Sequence, residues 1–271
     1  MQKLIEITQA ISKEKELLPF SIYRSSEEQH ILNVPIIKPL LILILSGTKI
    51  LGRENEINCP SGSFVFLSNT PKITMRNIPN NVTYYALLFE FDYSDFNFLS
   101  HRKPNLKTYF QGQIEKRLEQ TIQQFVEWST YSPPSLWYLR RQEMLQVLLS
   151  LGFDQVAGVI EPPTLSHKVY EIIRDQVSID MSAKTLSSML ALSESTFRRK
   201  LSAEGNSLQA IKDSVKLGHG LHLIQTSYEP IGLIAEKCGY SSSSRFTDRF
   251  KQLYGLTPSA LRKTRMSDSG E

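Results

Sequence analysis

Arg198 and Arg199 follow Ser195 and Thr196 in a short stretch whose apolar residues, Phe197 and Leu201, are four apart. That spacing puts the two apolar side chains on one helical face and leaves the guanidinium groups outside. A guanidinium fork there suits two partners, a guanine edge met bidentately or a phosphate. Ser243, Ser244, Arg245 and Asp248 stand in a second stretch of the same kind, around Phe246 and Phe250. Serine reads bases weakly, and Asp248 repels phosphate unless it accepts from a cytosine amino group. The second set is expected to add backbone affinity more than discrimination. Arg198, one turn beyond Ser195, is the expected base reader.

Other chemistry finds little support. Before residue 160 the histidines are His30 and His101, far apart and without a carboxylate motif, so no metal site is expected. No Ser-His-Asp, Cys-His or phosphate-loop pattern stands out, and neither catalysis nor a cofactor is expected. Cys59 and Cys238 fall in different expected domains and make no disulfide framework. Cys238, on a helix packed by Ile231, Ile234 and Ala235, reads as a buried free thiol. Lys38 lies in an apolar segment and is a candidate anchor for an acidic ligand head, unless it simply reaches solvent.

The elements around the arginines form a repeated pattern. In the second copy, about 231–254, Ile231, Ile234 and Ala235 recur at helical spacing. Gly239 stops that helix, and the serines from Ser241 to Ser244 offer caps for the next. In the first copy, about 184–205, Leu186, Met189 and Leu190 form a stripe, Leu192-Ser193-Glu194 a capped turn, and Gly205 a stop. Between them, 207–226 reads as one helix carrying Leu208, Ile211, Val215, Leu223 and Ile224. Two helix-turn-helix units with basic exposed second helices suit a major groove.

The run Ile231-x-x-Ile234-Ala235-x-x-x-Gly239-Tyr240, then Ser244-x-Phe246-x-x-x-Phe250-Lys251 and Tyr254-Gly255-Leu256-Thr257-Pro258, resembles the DNA-binding domain of AraC/XylS-type bacterial transcription regulators. The resemblance extends from about Ser166 to Arg265. It implies a sequence-specific, double-stranded-DNA-binding regulator that works with RNA polymerase, an activator rather than a repressor. Arg245 stands where the family often has an aromatic. Lys216 and Gly220 stand where its connecting helix usually has Arg and Ala. Gly218 and Gly220 each cost about 1 kcal/mol of helix propensity against alanine, so a softened connector is expected.

The 271 residues suit two domains, 1–160 and 161–271, in an α+β protein. Lys and Arg outnumber Asp and Glu by 15 to 11 from residue 164 onward, while the part before carries 16 of each. The whole surplus lies in the segment expected to meet phosphate. Short apolar runs at Leu40–Leu45, Lys49–Gly52, Phe64–Leu67 and Tyr84–Phe91, with Gly, Pro and Asn turns between, predict a β-sandwich or barrel. It resembles, more loosely, the cupin-like regulatory domain of many AraC-type proteins. That likeness implies a small-molecule effector. A partner protein in the effector's place, or a cupin-like enzyme fused to a DNA-binding domain, are the alternatives.

Helices are expected at about 112–128 and, after Pro133-Pro134, from Leu136 to Gly152, then a linker through Pro162-Pro163. The leucine stripe with Leu136, Leu145 and Leu148 is the expected homodimer seam. The N-terminus lacks a signal-peptide core, and no apolar run spans a bilayer, so a cytoplasmic chain without a membrane partner is expected.

Overall fold

The apolar run Leu40–Ser46 becomes the central strand because both of its faces have something to bury against. The computed structural model describes residues 1–265 apart from 16, 54–55, 69, 81–82, 100–108 and 159–163. In chain order the elements begin with α1 (Gln2–Glu14), β1 (Ser21–Ser25), β2 (Gln29–Ile36), β3 (Leu40–Ser46), β4 (Thr48–Leu51), β5 (Ile57–Pro60), β6 (Ser63–Leu67), β7 (Thr70–Ile78), β8 (Tyr84–Glu90) and β9 (Tyr109–Gln113). The helices α2 (Lys116–Trp128), α3 (Trp137–Ser150), α4 (Leu165–Arg174), α5 (Ala183–Met189), α6 (Glu194–Ala203), α7 (Leu208–Thr226), α8 (Ile231–Lys237), α9 (Ser243–Tyr254) and α10 (Pro258–Lys263) follow.

The strands make two antiparallel sheets, ordered β1-β8-β3-β6-β9 and β2-β7-β4-β5. Strand side chains alternate between faces, so β3 serves two cores. Leu41, Leu43 and Leu45 join Phe64, Phe66, Leu87 and Phe89 beneath α2 and α3. Leu40, Ile42 and Ile44 face the second sheet, beside Ile31, Ile36, Leu51 and Met75. A strand buried on both sides reads as an unbroken apolar run, as this one does.

Two expectations need correction. The helix anticipated from Gly112 begins only at Lys116, because Tyr109–Gln113 pairs with β6 and closes that sheet's edge. Gly112 also leaves no room for a side chain: a Cβ there would lie 2.4 Å from the Phe153 ring. Of the supposed dimer seam, Leu145 and Leu148 are fully buried in the core of their own domain. Leu136, just before α3, stays exposed, as does Leu139 on its outer face, so the leucines do not form one stripe. The helix α1 was not anticipated from the sequence. It docks through Leu4 and Ile11, and its Thr8 hydroxyl meets the Tyr85 hydroxyl at 2.8 Å.

The linker anticipated through Pro162-Pro163 lies outside the described residues. Beyond it, α4, α5, α6 and the first half of α7 enclose their own small core around Val169, Leu186, Phe197, Leu201 and Val215. The second helix-turn-helix unit has no core separate from the sandwich. Leu217, Leu221 and Ile224 of α7, and Phe246, Phe250 and Tyr254 of α9, share one apolar cluster with Ile31, Val34 and Ile36 of β2.

Polar contacts reinforce that junction. β2 is irregular after Ile31, and Asn33 sits there in the left-handed region (φ 51°). Its side-chain amide donates to the Leu253 carbonyl at 2.8 Å, near the C-terminus of α9. A Cβ at Gly255 would come within 2.9 Å of the Leu32 side chain. Below this contact the Gln29, Asn77 and Gln225 amides form a buried chain.

The connector is one unbroken helix, and its two glycines differ. A Cβ at Gly220 would fall 2.7 Å from the Phe246 ring and 3.3 Å from Cys238 Sγ, whereas at Gly218 the nearest atom, in Pro35, is 3.6 Å away. Gly220 is thus a packing requirement, which the propensity argument missed. Gly218→Ala is expected to stabilise the protein by about 0.5–1 kcal/mol. Gly220→Ala is expected to destabilise it by about 1–3 kcal/mol, since overpacking outweighs the propensity gain. Chemical denaturation of the two variants checks the opposite signs.

Candidate nucleic-acid interface and interdomain cavity

Each second helix of the two units starts at a serine cap. The Ser193 hydroxyl accepts from the Thr196 backbone at 3.2 Å, and the Ser242 hydroxyl from the Arg245 backbone at 3.5 Å. The turn before α6 passes through Ala191 with φ 53°, and the turn before α9 through Gly239 with φ 72°. Phe197 and Leu201 anchor α6 inward; Phe246, Phe250 and Tyr254 anchor α9. What remains outside is the set the sequence singled out. Ser195, Arg198, Arg199, Ser243, Ser244, Arg245 and Asp248 are exposed, and Thr196 is half-buried beside its cap. Met189, expected in the apolar stripe of α5, is instead 57% exposed.

Arg198 has a companion the sequence reading did not name. Its Nε and Nη2 donate to Glu194 Oε1 at 3.1 and 2.7 Å, one helical turn earlier. At 63% side-chain exposure this ion pair contributes little stability. The pair lies on the exposed outer face of α6.

A cavity of about 620 Å³ lies where β2, the start of β3 and α7 meet. Its apolar wall includes Ile31, Ile36, Leu88 and Leu221, and its polar groups include Tyr23, Lys38, Lys49, Arg141, Tyr170, Arg174, His219 and His222. Lys38 is at this cavity, already engaged: it meets Asp92 at 2.5 Å and Glu171 of α4 at 3.4 Å, bridging the two halves of the chain. Burial alone would raise the Asp92 carboxyl. The Lys38 bond and charge, with Arg141 and Arg174, outweigh it and hold Asp92 below the usual carboxylate range.

Lys49 went unnoticed in the sequence. It lies two residues before Leu51, and both point inward from β4. That period-two relation to a core leucine was the available signal. Lys49 is 2% exposed, donates to Asn77 Oδ1 at 2.7 Å and lies 5.6 Å from the Tyr84 ring centre. Burial pushes its ammonium down to about 8, against a smaller upward pull from Cys59. Cys59 and Cys238 are both buried free thiols, raised to about 11 and about 12 by burial. His30 is exposed, and His101 lies outside the described residues. Among the described residues, no group of three or more His, Cys, Asp or Glu is gathered as metal ligands would be. Among them too, no helix is long and apolar enough to cross a membrane.

The chain thus joins a β-sandwich, through a shared core, to two helix-turn-helix units whose outer faces are polar and partly basic. Residues 186–264 match the helix-turn-helix domain family model. The HTH-type transcriptional regulator AdiY of Escherichia coli (strain K12) is 31% identical over 94 residues, 35% of this chain and 37% of that protein. The transcriptional regulator SirC of Salmonella typhimurium (strain SL1344) is 30% identical over 113 residues, 42% of this chain and 38% of that protein. The chain thus spans less than half the length of these curated relatives. Across 93% of the chain the fold is similar to that of apo ToxT from Vibrio cholerae, with a TM-score of 0.68, 14% identity and all of that chain covered. ToxT in its unsaturated fatty acid-bound form gives a TM-score of 0.64 at 15% identity, over 93% of this chain and 97% of that one.

The cavity histidines give a pH expectation. Burial holds His222 below the ordinary imidazole range, with its Nδ1 3.5 Å from the Tyr23 hydroxyl. Burial likewise lowers His219, helped by His222 and Lys237. A base whose folded pKa is depressed leaves the unfolded chain binding more protons as pH falls below the unfolded value, so stability is lost in acid. The thermal midpoint of the parent is expected to fall more steeply between about pH 7 and pH 5 than that of His222→Gln. Parallel melting series in matched buffers check it.

Proposed function

We propose that the chain is a sequence-specific DNA-binding transcription regulator whose α6 and α9 enter successive major-groove segments on one side of the duplex. The observation that carries this reading is the pair of capped helices with apolar anchors inside and the Arg198–Arg199 and Ser243–Asp248 sets outside. The charge surplus in the same segment supports it. The regulator acts as an activator in contact with RNA polymerase, and works as a homodimer. Its seam then uses the exposed Leu139 of α3 and Leu136 just before that helix, rather than Leu145 or Leu148.

The interdomain cavity holds a small effector. Its volume suits a ligand of ordinary size, with apolar walls and a few convergent polar groups. ToxT, whose fold is similar, has been solved with an unsaturated fatty acid and with a naphthalenyl butenoic acid. Both are carboxylic acids on apolar bodies, and we assign the effector of this chain to that class.

Binding of DNA is tested with Arg198→Ala and Arg199→Ala in a shift assay across a salt series. Arg198→Ala is expected to lose about 1–3 kcal/mol on the preferred site and to relax the preference at one base position. Arg199→Ala is expected to weaken all sequences alike and to lower the salt slope by about one. Affinities equal to the parent for both variants refute the reading.

A further inference from the structure

Lys49 is a cation in a place where a cation needs an anion. It is almost wholly buried, it lines the interdomain cavity, and among the described residues no carboxylate pairs with it. Its ammonium donates to the neutral Asn77 amide, and the Tyr84 ring is also close. An ammonium out of water with one neutral acceptor is costly, and it either loses its proton or meets a negative charge. Lys38, at the same cavity, has that need met by Asp92 and Glu171.

The bonds behind Lys49 lead out of the β domain. Its ammonium donates to Asn77 Oδ1, and the Asn77 amide donates to Gln29 Oε1 at 2.9 Å. Gln225 of α7 donates to the same Gln29 oxygen at 3.1 Å, and Gln29 Nε2 donates to Thr264 Oγ1, just past α10, at 2.8 Å. Lys49, Asn77, Gln29 and Gln225 are each at most 2% exposed. A buried amide chain has few alternative partners, so a change at one end is felt at the other.

Building on the effector reading above, we propose that Lys49, and not Lys38, is the anion-binding point of the cavity. It takes the carboxylate of an acid whose apolar body lies against Ile31, Met75 and Leu88. The Asn77–Gln29–Gln225 chain then ties occupancy of that point to α7 and the second helix-turn-helix unit. An anion that draws the ammonium toward the cavity competes with Asn77 Oδ1. The amides that adjust are the ones holding α7 and Thr264 to β2.

The test uses the full chain with oleic acid, oleyl alcohol and sodium acetate, by calorimetric titration and thermal shift, on the parent, Lys49→Met, Lys49→Gln and Lys38→Met. Oleic acid is expected to bind and stabilise the parent, while the alcohol and acetate bind far more weakly. Lys49→Met is expected to lose about tenfold or more in affinity for oleic acid, the scale of one charge-assisted contact. Lys38→Met is expected to change it by less than about threefold. Lys49→Gln keeps a donor for Asn77 and is expected to show the same loss, which covers a poorly folded methionine variant. Oleic acid bound by both Lys49 variants as tightly as by the parent overturns the anchor and leaves the effector reading standing. Equal binding of acid and alcohol by the parent overturns the carboxylate assignment. A parent that binds neither removes the effector reading and this assignment together.

Discussion

The junction between the sandwich and the second helix-turn-helix unit is built on one strand. β2 gives Ile31, Val34 and Ile36 to an apolar cluster that α7 and α9 complete, so the sandwich and the second helix-turn-helix unit exclude water together. Asn33 and Leu32, on the irregular part of the same strand, hold the C-terminal end of α9. The first unit rests on its own core around Phe197 and Leu186 and touches this arrangement through α7. The two helix-turn-helix units on one connector are therefore secured differently, one by its own packing and one by the β domain.

This asymmetry bears on how the cavity communicates. Residues of β2 form part of the cavity wall and part of the grip on α9. A ligand that fits the cavity better in one arrangement of β2 than in another biases the presentation of α9 by that difference in affinity and no more. The Lys38–Glu171 ion pair adds a second tie, from the cavity rim to α4. Its loss would loosen the first unit's side of the junction, while the β2 contacts act on the second.

The parts of this picture carried by local spacing were legible in the sequence. Phe197 with Leu201 and Phe246 with Phe250 fixed which way the arginines face. Ser193 and the serine run marked the helix starts, and Gly239 marked a turn that needed positive φ. β3, β6 and β8 announced themselves by apolar runs. What stayed hidden depended on contacts between distant segments. Nothing near Leu145 and Leu148 tells an inward leucine from a seam leucine, since both give the same spacing. Nothing near Gly220 says that a phenylalanine ring from α9 will occupy the space of its missing side chain. The cavity, and Lys49 within it, exist only once β4, β7 and α7 have come together. Ala191 adopts its left-handed turn without the glycine that usually signals one, so that turn was legible only from the serine after it.

The crowding at Gly220 also shapes how such a protein can change over generations. The inner faces of α7 and α9 answer to two neighbours at once, so a substitution there must suit the β domain and the helix-turn-helix unit together. The outer faces, with Arg198, Arg199, Ser243, Ser244 and Arg245, touch no such partner. On the proposed function, single exchanges on the outer faces of α6 and α9 can shift what those helices contact, while the inner faces must be inherited as a unit. A foreign helix-turn-helix module spliced in behind the sandwich would arrive without the complementary inner face.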